Sequence, residues 1–178
     1  MGNTRLPKSA KLIIGIILSD EKVIKQPQRI LENKFGKVDV ESNLWPFDKT
    51  GYYEEEMGEN LLRKFLSFEN FIRPEQIAKI KNFTNKLEKK LSKNGKRMIN
   101  LDPGYLTDSK LVLATTKDYS HRIYLGTGIY AEVTLYFKER SFRYFDYTYP
   151  DYRSAEYITF FNAVRKIYLE QIKSVHRS

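Results

Sequence analysis

Leu12, Ile13, Ile14, Ile16, Ile17 and Leu18 form a short apolar run interrupted only by Gly15. A run of that length, dominated by isoleucine, is the pattern of a strand buried on both faces. Asp20 then stands where a helix cap is wanted, ahead of Val23, Ile24, Ile30, Leu31 and Phe35 at helical spacing, with Pro27 starting or kinking the helix and Gly36 stopping it. Val38, Val40 and Leu44 alternate with Asp39, Glu41 and Asn43, which predicts a half-buried strand ending at Trp45, with a loop over 46–51. The stretch YYEEEMG at 52–58 reads as a further strand, Glu54 and Glu56 on one face and Glu55 on the other, although three adjacent glutamates are also what a solvated edge shows. Residues 62–72 mix aromatic and basic positions as a strand does. From Pro74 onward Ile77, Ile80, Thr84, Leu87 and Leu91 recur at helical spacing until Asn94-Gly95 ends the helix.

The second half opens with a short strand at 98–101 and Asp102-Pro103-Gly104-Tyr105, a turn signal that would hold Asp102 at a strand end. Residues 109–116 read as helix or strand. As a helix they place Lys110 and Lys117 on one face, and as a strand on opposite faces. Residues 121–125 and 129–137 flank Gly126-Thr127-Gly128 as two arms of a hairpin. Pairing Leu125 with Ile129 sets Arg122 opposite Glu132, and alternation gives Ile129, Ala131, Val133, Leu135 and Phe137 one apolar face. A tight turn over 138–141 pairs Phe137 with Phe142 and brings Tyr147 beside Glu132, so that Arg122, Glu132 and Tyr147 line up across three strands. Residues 148–153 form a rigid aromatic turn, and Asp151 or Ser154 caps a last helix striped by Ile158, Phe161, Val164 or Arg165, Tyr168 and Ile172. The expected fold class is α+β, a mostly antiparallel sheet with helices packed on it. A single domain over 1–178 would be built from two βαββα-like halves, 11–95 and 96–175.

Composition supports a real core: 41% of the 178 residues are hydrophobic and 14% aromatic. The absence of cysteine removes thiolate chemistry and disulfides and suits the cytoplasm. The basic N-terminus with its apolar run imitates a signal peptide, but the run is short and no small-residue cleavage pattern follows; no stretch is long enough to cross a bilayer. Of the formal net charge of +9, most lies between 74 and 97, where eight basic residues face only Glu75 and Glu88. Such a stripe follows a phosphate backbone or, more commonly, is the wet face of an amphipathic helix.

Chemically capable side chains concentrate in 100–153. His121, Glu132 and Asp102 are the candidate proton-handling residues, and Lys110, Lys117, Arg122, Asp151 and Arg153 the candidate ligand contacts. One histidine among scattered carboxylates has no metal-ligand spacing. The motifs NLDPGYL, KLVLATTKD, SHRIYL, GIYAEVTL and TYPDYRS, with YYEEEMG upstream, resemble an uncharacterised prokaryotic family, the domain of unknown function numbered 4416, over nearly the whole chain. The chain departs from the family's pattern at Phe145-Asp146-Tyr147. Members are sometimes labelled GTP-binding, but no P-loop is present: Gly95-Lys96 is followed by Arg97 and lacks the upstream glycine, and Asp102-Pro103-Gly104 and Thr116-Lys117-Asp118 are only near misses to short GTPase motifs. The residues therefore point to a polar pocket for a small anion, a nucleotide or phosphorylated metabolite, in a binding protein or an enzyme. They specify no cofactor and no oligomeric state. An RNA-binding module is the alternative, given thirteen tyrosines and eleven phenylalanines beside basic residues, and a protein-interaction scaffold the third reading.

Overall fold

The computed structural model describes residues 2–48, 53–93 and 96–175. The turn read at Asn94-Gly95, the loop positions 49–51, Tyr52 and His176 lie outside the described residues. Among the described residues nine strands form one antiparallel sheet: β1 (Ala10–Leu18), β2 (Val38–Glu41), β3 (Trp45–Pro46), β4 (Leu62–Ile72), β5 (Ile99–Leu106), β6 (Lys110–Thr115), β7 (Ile123–Gly126), β8 (Ile129–Lys138) and β9 (Ser141–Tyr144). The order is β2-β4-β1-β5-β6-β8-β7, with β3 paired to β4 and β9 to β8. Four α-helices accompany it: α1 (Lys25–Phe35), the single turn α2 (Glu54–Met57), α3 (Ile77–Leu91) and α4 (Ala155–Val175). The α+β class is as expected, and the helices cover both faces of the sheet.

Period-two alternation explains the layers. Leu12, Ile14, Ile16 and Leu18 of β1 pack with Leu31 of α1 and Ile77, Ile80 and Leu87 of α3. Ile13 points the other way, with Phe65 of β4, into Phe161, Val164 and Tyr168 of α4. β1 therefore has no wet face, as its unbroken apolar run requires. Asp20 does cap, its carboxylate accepting from the Lys22 amide at 2.9 Å, but the first turn is 3-10 and α1 follows it.

Several expectations change. Residues 54–57 are helical, not extended: the Met57 amide donates to Tyr53 O at 2.8 Å, and Met57 and Tyr53 turn inward against Ile17, Phe47 and Leu61. Only two apolar positions four apart carried that signal. β5 runs straight through Asp102-Pro103-Gly104, with Pro103 opposite Ile14 of β1. Residues 110–115 are a strand, so no helix separates β5 from β6 and the two halves differ in element order. β8 carries an extra residue opposite Leu111 and Val112, so the apolar face expected over 129–137 is split. Ile129 joins the cluster under α3, whereas Leu135 joins the one under α4.

Candidate functional site

The sheet is not closed all the way along β5 and β6. They pair only at Gly104↔Leu113, Tyr105↔Val112 and Leu106↔Leu111, while β5 pairs with β1 along its whole length. Gly104 permits the close contact where the two strands meet, since a Cβ there would lie 2.4 Å from Val112 O. Beyond that point the strands part, and side chains of α3 take up the backbone groups a neighbouring strand would have used. Lys81 Nζ donates to Leu101 O at 2.9 Å, and the Leu101 amide donates to Glu88 Oε1 at 2.7 Å. By alternation Pro103 faces the same gap, so its missing N–H costs no ladder bond, and proline-glycine here is strand rather than turn.

The gap is a cleft of about 1080 Å³. Arg63 lies at its floor, 3% exposed, with Nη1 3.5 Å from Asp102 Oδ2 and Nη2 3.1 Å from Asp151 Oδ2. Its guanidinium sits 4.8 Å from the Phe47 ring centroid, above Gly15, where a Cβ would come within 2.9 Å of Nη1. Asp102 Oδ1 accepts from Lys81 at 3.3 Å and Oδ2 from Asn100 Nδ2 at 2.7 Å. Asn100 Oδ1 in turn accepts from Arg97 Nη1 at 2.7 Å, and Arg97 also pairs with Glu88 and Glu56.

The far wall is the cluster read from the hairpin. Arg122 Nε donates to Glu132 Oε2 at 2.7 Å, Nη1 to Lys117 O at 3.1 Å and Nη2 to Tyr149 Oη at 2.8 Å. The register Ile123↔Ala131 is the one expected and sets Arg122 beside Glu132, but at the turn Gly126, not Leu125, faces Ile129, because the register shifts by one residue after Tyr124. Phe137↔Phe142 is also as expected, but β9 ends at Tyr144. Tyr147 therefore does not extend the ladder; its hydroxyl donates to Val133 O at 3.0 Å and its ring stacks on His121 at 4.3 Å. The hairpin arm begins at Ile123, because the Arg122 amide donates to Tyr119 O and closes a turn at 119–122. That turn swings His121 to Glu132, with Nε2 3.1 Å from Oε2.

Burial and neighbours drive the carboxyl groups apart. For Glu88 burial dominates, only partly offset by Lys81 and the Leu101 amide, and its pKa is raised. Asp151 is likewise pushed up by burial against the opposing pull of Arg63. For Asp102 burial is outweighed by Lys81 and Arg63, and its pKa is lowered.

Of the candidates named from sequence, Asp102, Lys117, Arg122, Glu132 and Asp151 all line this cleft. His121 stands behind Glu132. Lys110 does not belong to the cleft: it starts β6 opposite Tyr136 while Lys117 lies past the strand's other end, roughly 20 Å away at strand rise. Arg153 turns aside, donating to Thr148 O and Asp146 O, each at 2.7 Å. Sequence reasoning missed Arg63, Lys81 and Glu88. Their signal was phase: Arg63 falls on the same strand face as Phe65, and Lys81 and Glu88 fall within the apolar stripe of α3 rather than on its wet side.

A family model described as Domain of unknown function (DUF4416) matches residues 8–168. No curated protein and no solved structure matches the chain.

Proposed function

Since the chain belongs to the DUF4416 family, whose description carries no activity, we propose from the geometry of the cleft that it binds a small anionic ligand there, a nucleotide or phosphorylated metabolite. The observation that carries this reading is the concentration of charge inside one concavity of metabolite size. Six cations, Arg63, Lys81, Lys89, Arg97, Lys117 and Arg122, line it against five carboxylates. Buried carboxylates of the wall are already bound to cations of the wall: Asp102 to Lys81 and Arg63, Asp151 to Arg63, Glu132 to Arg122, Glu88 to Arg97. Lys89 makes no ion pair among the described residues and stands exposed at the rim, whereas Arg97 is already paired with Glu56 and Glu88, so Lys89 is a cation that an entering anion can take without displacing a carboxylate.

The same floor suits acid–base chemistry. Asp151, with raised proton affinity, and Asp102, held ionised, sit on the two arms of one guanidinium, and unequal carboxyl groups of this kind serve as donor and acceptor. The test is a melting-temperature screen of the full chain against nucleotides and phosphorylated metabolites. At a ligand concentration one hundred times Kd the native state gains about 2.7 kcal/mol, a rise of roughly 5–10 °C for a chain of this size. Lys117→Ala should weaken any hit by about tenfold or more, as loss of a charge-assisted hydrogen bond does. A melting temperature that no compound raises would overturn the reading.

A further inference from the structure

We infer that the ligand of this cleft is a phosphorylated polyol, its hydroxyl groups held by Asp102 at the floor and its phosphate by Lys89 at the rim; the inference rests on the anion-binding reading above. The side chain of Asp102 is 24% exposed in an otherwise buried floor. Its oxygens take bonds from Lys81 and Asn100 and lie beside Arg63. A carboxylate accepts about four hydrogen bonds, so acceptor capacity remains on the side open to the cleft. An anionic group cannot occupy that position, because it would meet Asp102 head on. A ligand ammonium would add a third positive charge beside Lys81 and Arg63. Neutral O–H donors fit: they bond the carboxylate and leave the local charge as it is.

Two further features belong to the same floor. Tyr152 is 2% exposed and its hydroxyl has no hydrogen-bond partner among the described residues. A buried hydroxyl in that state calls for a polar atom beside it, and Tyr152 lines the cleft with Asp102. Phe47 and Tyr53 line the same end and offer apolar surface to the carbon skeleton of a polyol or sugar ring. Lys89, exposed at the rim with no ion pair among the described residues, is left for the phosphate, whose oxygens accept from its ammonium.

The experiment is calorimetric titration of the full chain with matched probes: inorganic phosphate, propyl phosphate, glycerol 3-phosphate and ribose 5-phosphate. Hydroxylated phosphates should bind about tenfold or more tighter than propyl phosphate, the factor expected for hydrogen bonds to a charged acceptor. Asp102→Asn should abolish that margin, bringing the hydroxylated phosphates to the affinity the same variant has for propyl phosphate. Because this substitution also takes a partner from Arg63 and Lys81, its fold is checked by circular dichroism, and the comparison within the wild-type protein stands without it. Equal affinity of the wild type for glycerol 3-phosphate, ribose 5-phosphate and propyl phosphate would overturn this inference and leave the anion reading intact. A margin that survives Asp102→Asn in folded protein would remove Asp102 from the role. No binding by any probe would overturn this inference and leave the anion reading to the melting-temperature screen.

Discussion

Arg63 shows what one residue decides here. A fully buried guanidinium is costly unless paired, and this one has two carboxylates and a set of aromatic rings around it. Gly15 on the neighbouring strand leaves the room. Gly15→Ala should cost about 1–3 kcal/mol in urea unfolding, because the added methyl group drives the guanidinium from between Asp102 and Asp151 and meets the Phe65 ring at 3.0 Å. Glu88 gives a second test at this scale, with a definite sign. Its folded pKa is raised, so its contribution to stability is greatest below the unfolded value of about 4.3 and is lost as pH rises through the folded value. Glu88→Gln, neutral at every pH, should therefore gain on the wild type as pH rises from about 4 to 7, whatever the offset between them. Urea midpoints of both proteins across that range measure it, and parallel curves would show that burial does not dominate at Glu88. Asp102 has the opposite sign: its folded pKa is lowered, so its contribution is present above the ordinary aspartate range and is lost as pH falls through the folded value.

Among the elements, β5 has the unusual task of being a central strand on one edge and an open one on the other. Glycine at 104 lets β6 meet it, and α3 completes it where β6 leaves. Gly104→Ala should open that junction: its Cβ would lie 2.4 Å from a backbone oxygen, which cannot rotate away as a side chain can. A loss of about 1–3 kcal/mol, with faster amide exchange at Val112 and Leu113 than elsewhere in β6, is the expected outcome. The turn at 119–122 depends on Arg122, which ties Glu132, the Lys117 carbonyl and Tyr149 together. Arg122→Ala leaves Glu132, whose side chain is 2% exposed, with His121 and Thr134 but without its guanidinium partner, and should cost about 3 kcal/mol. A loss below about 1 kcal/mol would place this pair with ordinary surface ion pairs.

At the scale of the whole molecule the lysines of α3 and its C-terminal end are divided between two surfaces. Lys86, Lys90 and Lys93 are exposed on and just beyond α3, whereas Lys81, 6% exposed, is turned into the cleft. The exposed lysines should give only weak, salt-sensitive attraction to nucleic acid. Replacing these three by glutamine should reduce the slope of log affinity against log salt by roughly 2–3 while leaving ligand binding at the cleft unchanged. A tight RNA complex abolished by the triple substitution would favour the alternative of a nucleic-acid module.

Hydrophobic phase was enough to read β1, β4, β8, α3 and α4 from the sequence, because each buries a local apolar pattern, and Gly126-Thr127-Gly128 marked the hairpin to β7, whose own side chains stay largely exposed. The same periodicity set Arg122 beside Glu132, since strand register follows from turn length and alternation. It failed where a local signal was satisfied by a distant partner. Asp102-Pro103-Gly104 carries turn residues, yet β1 on one side and α3 on the other hold it extended. Residues 54–57 became helical because Tyr53 and Met57 find Ile17, Phe47 and Leu61. Arg63 and Asp151 are 88 positions apart, a pairing that no window of sequence contains. The sequence by itself determined most of the strands, the three longer helices and most of the polar inventory; only tertiary packing decided that β5 runs on through Asp102 and that β5 and β6 part, and hence that these charges face one another across a cleft.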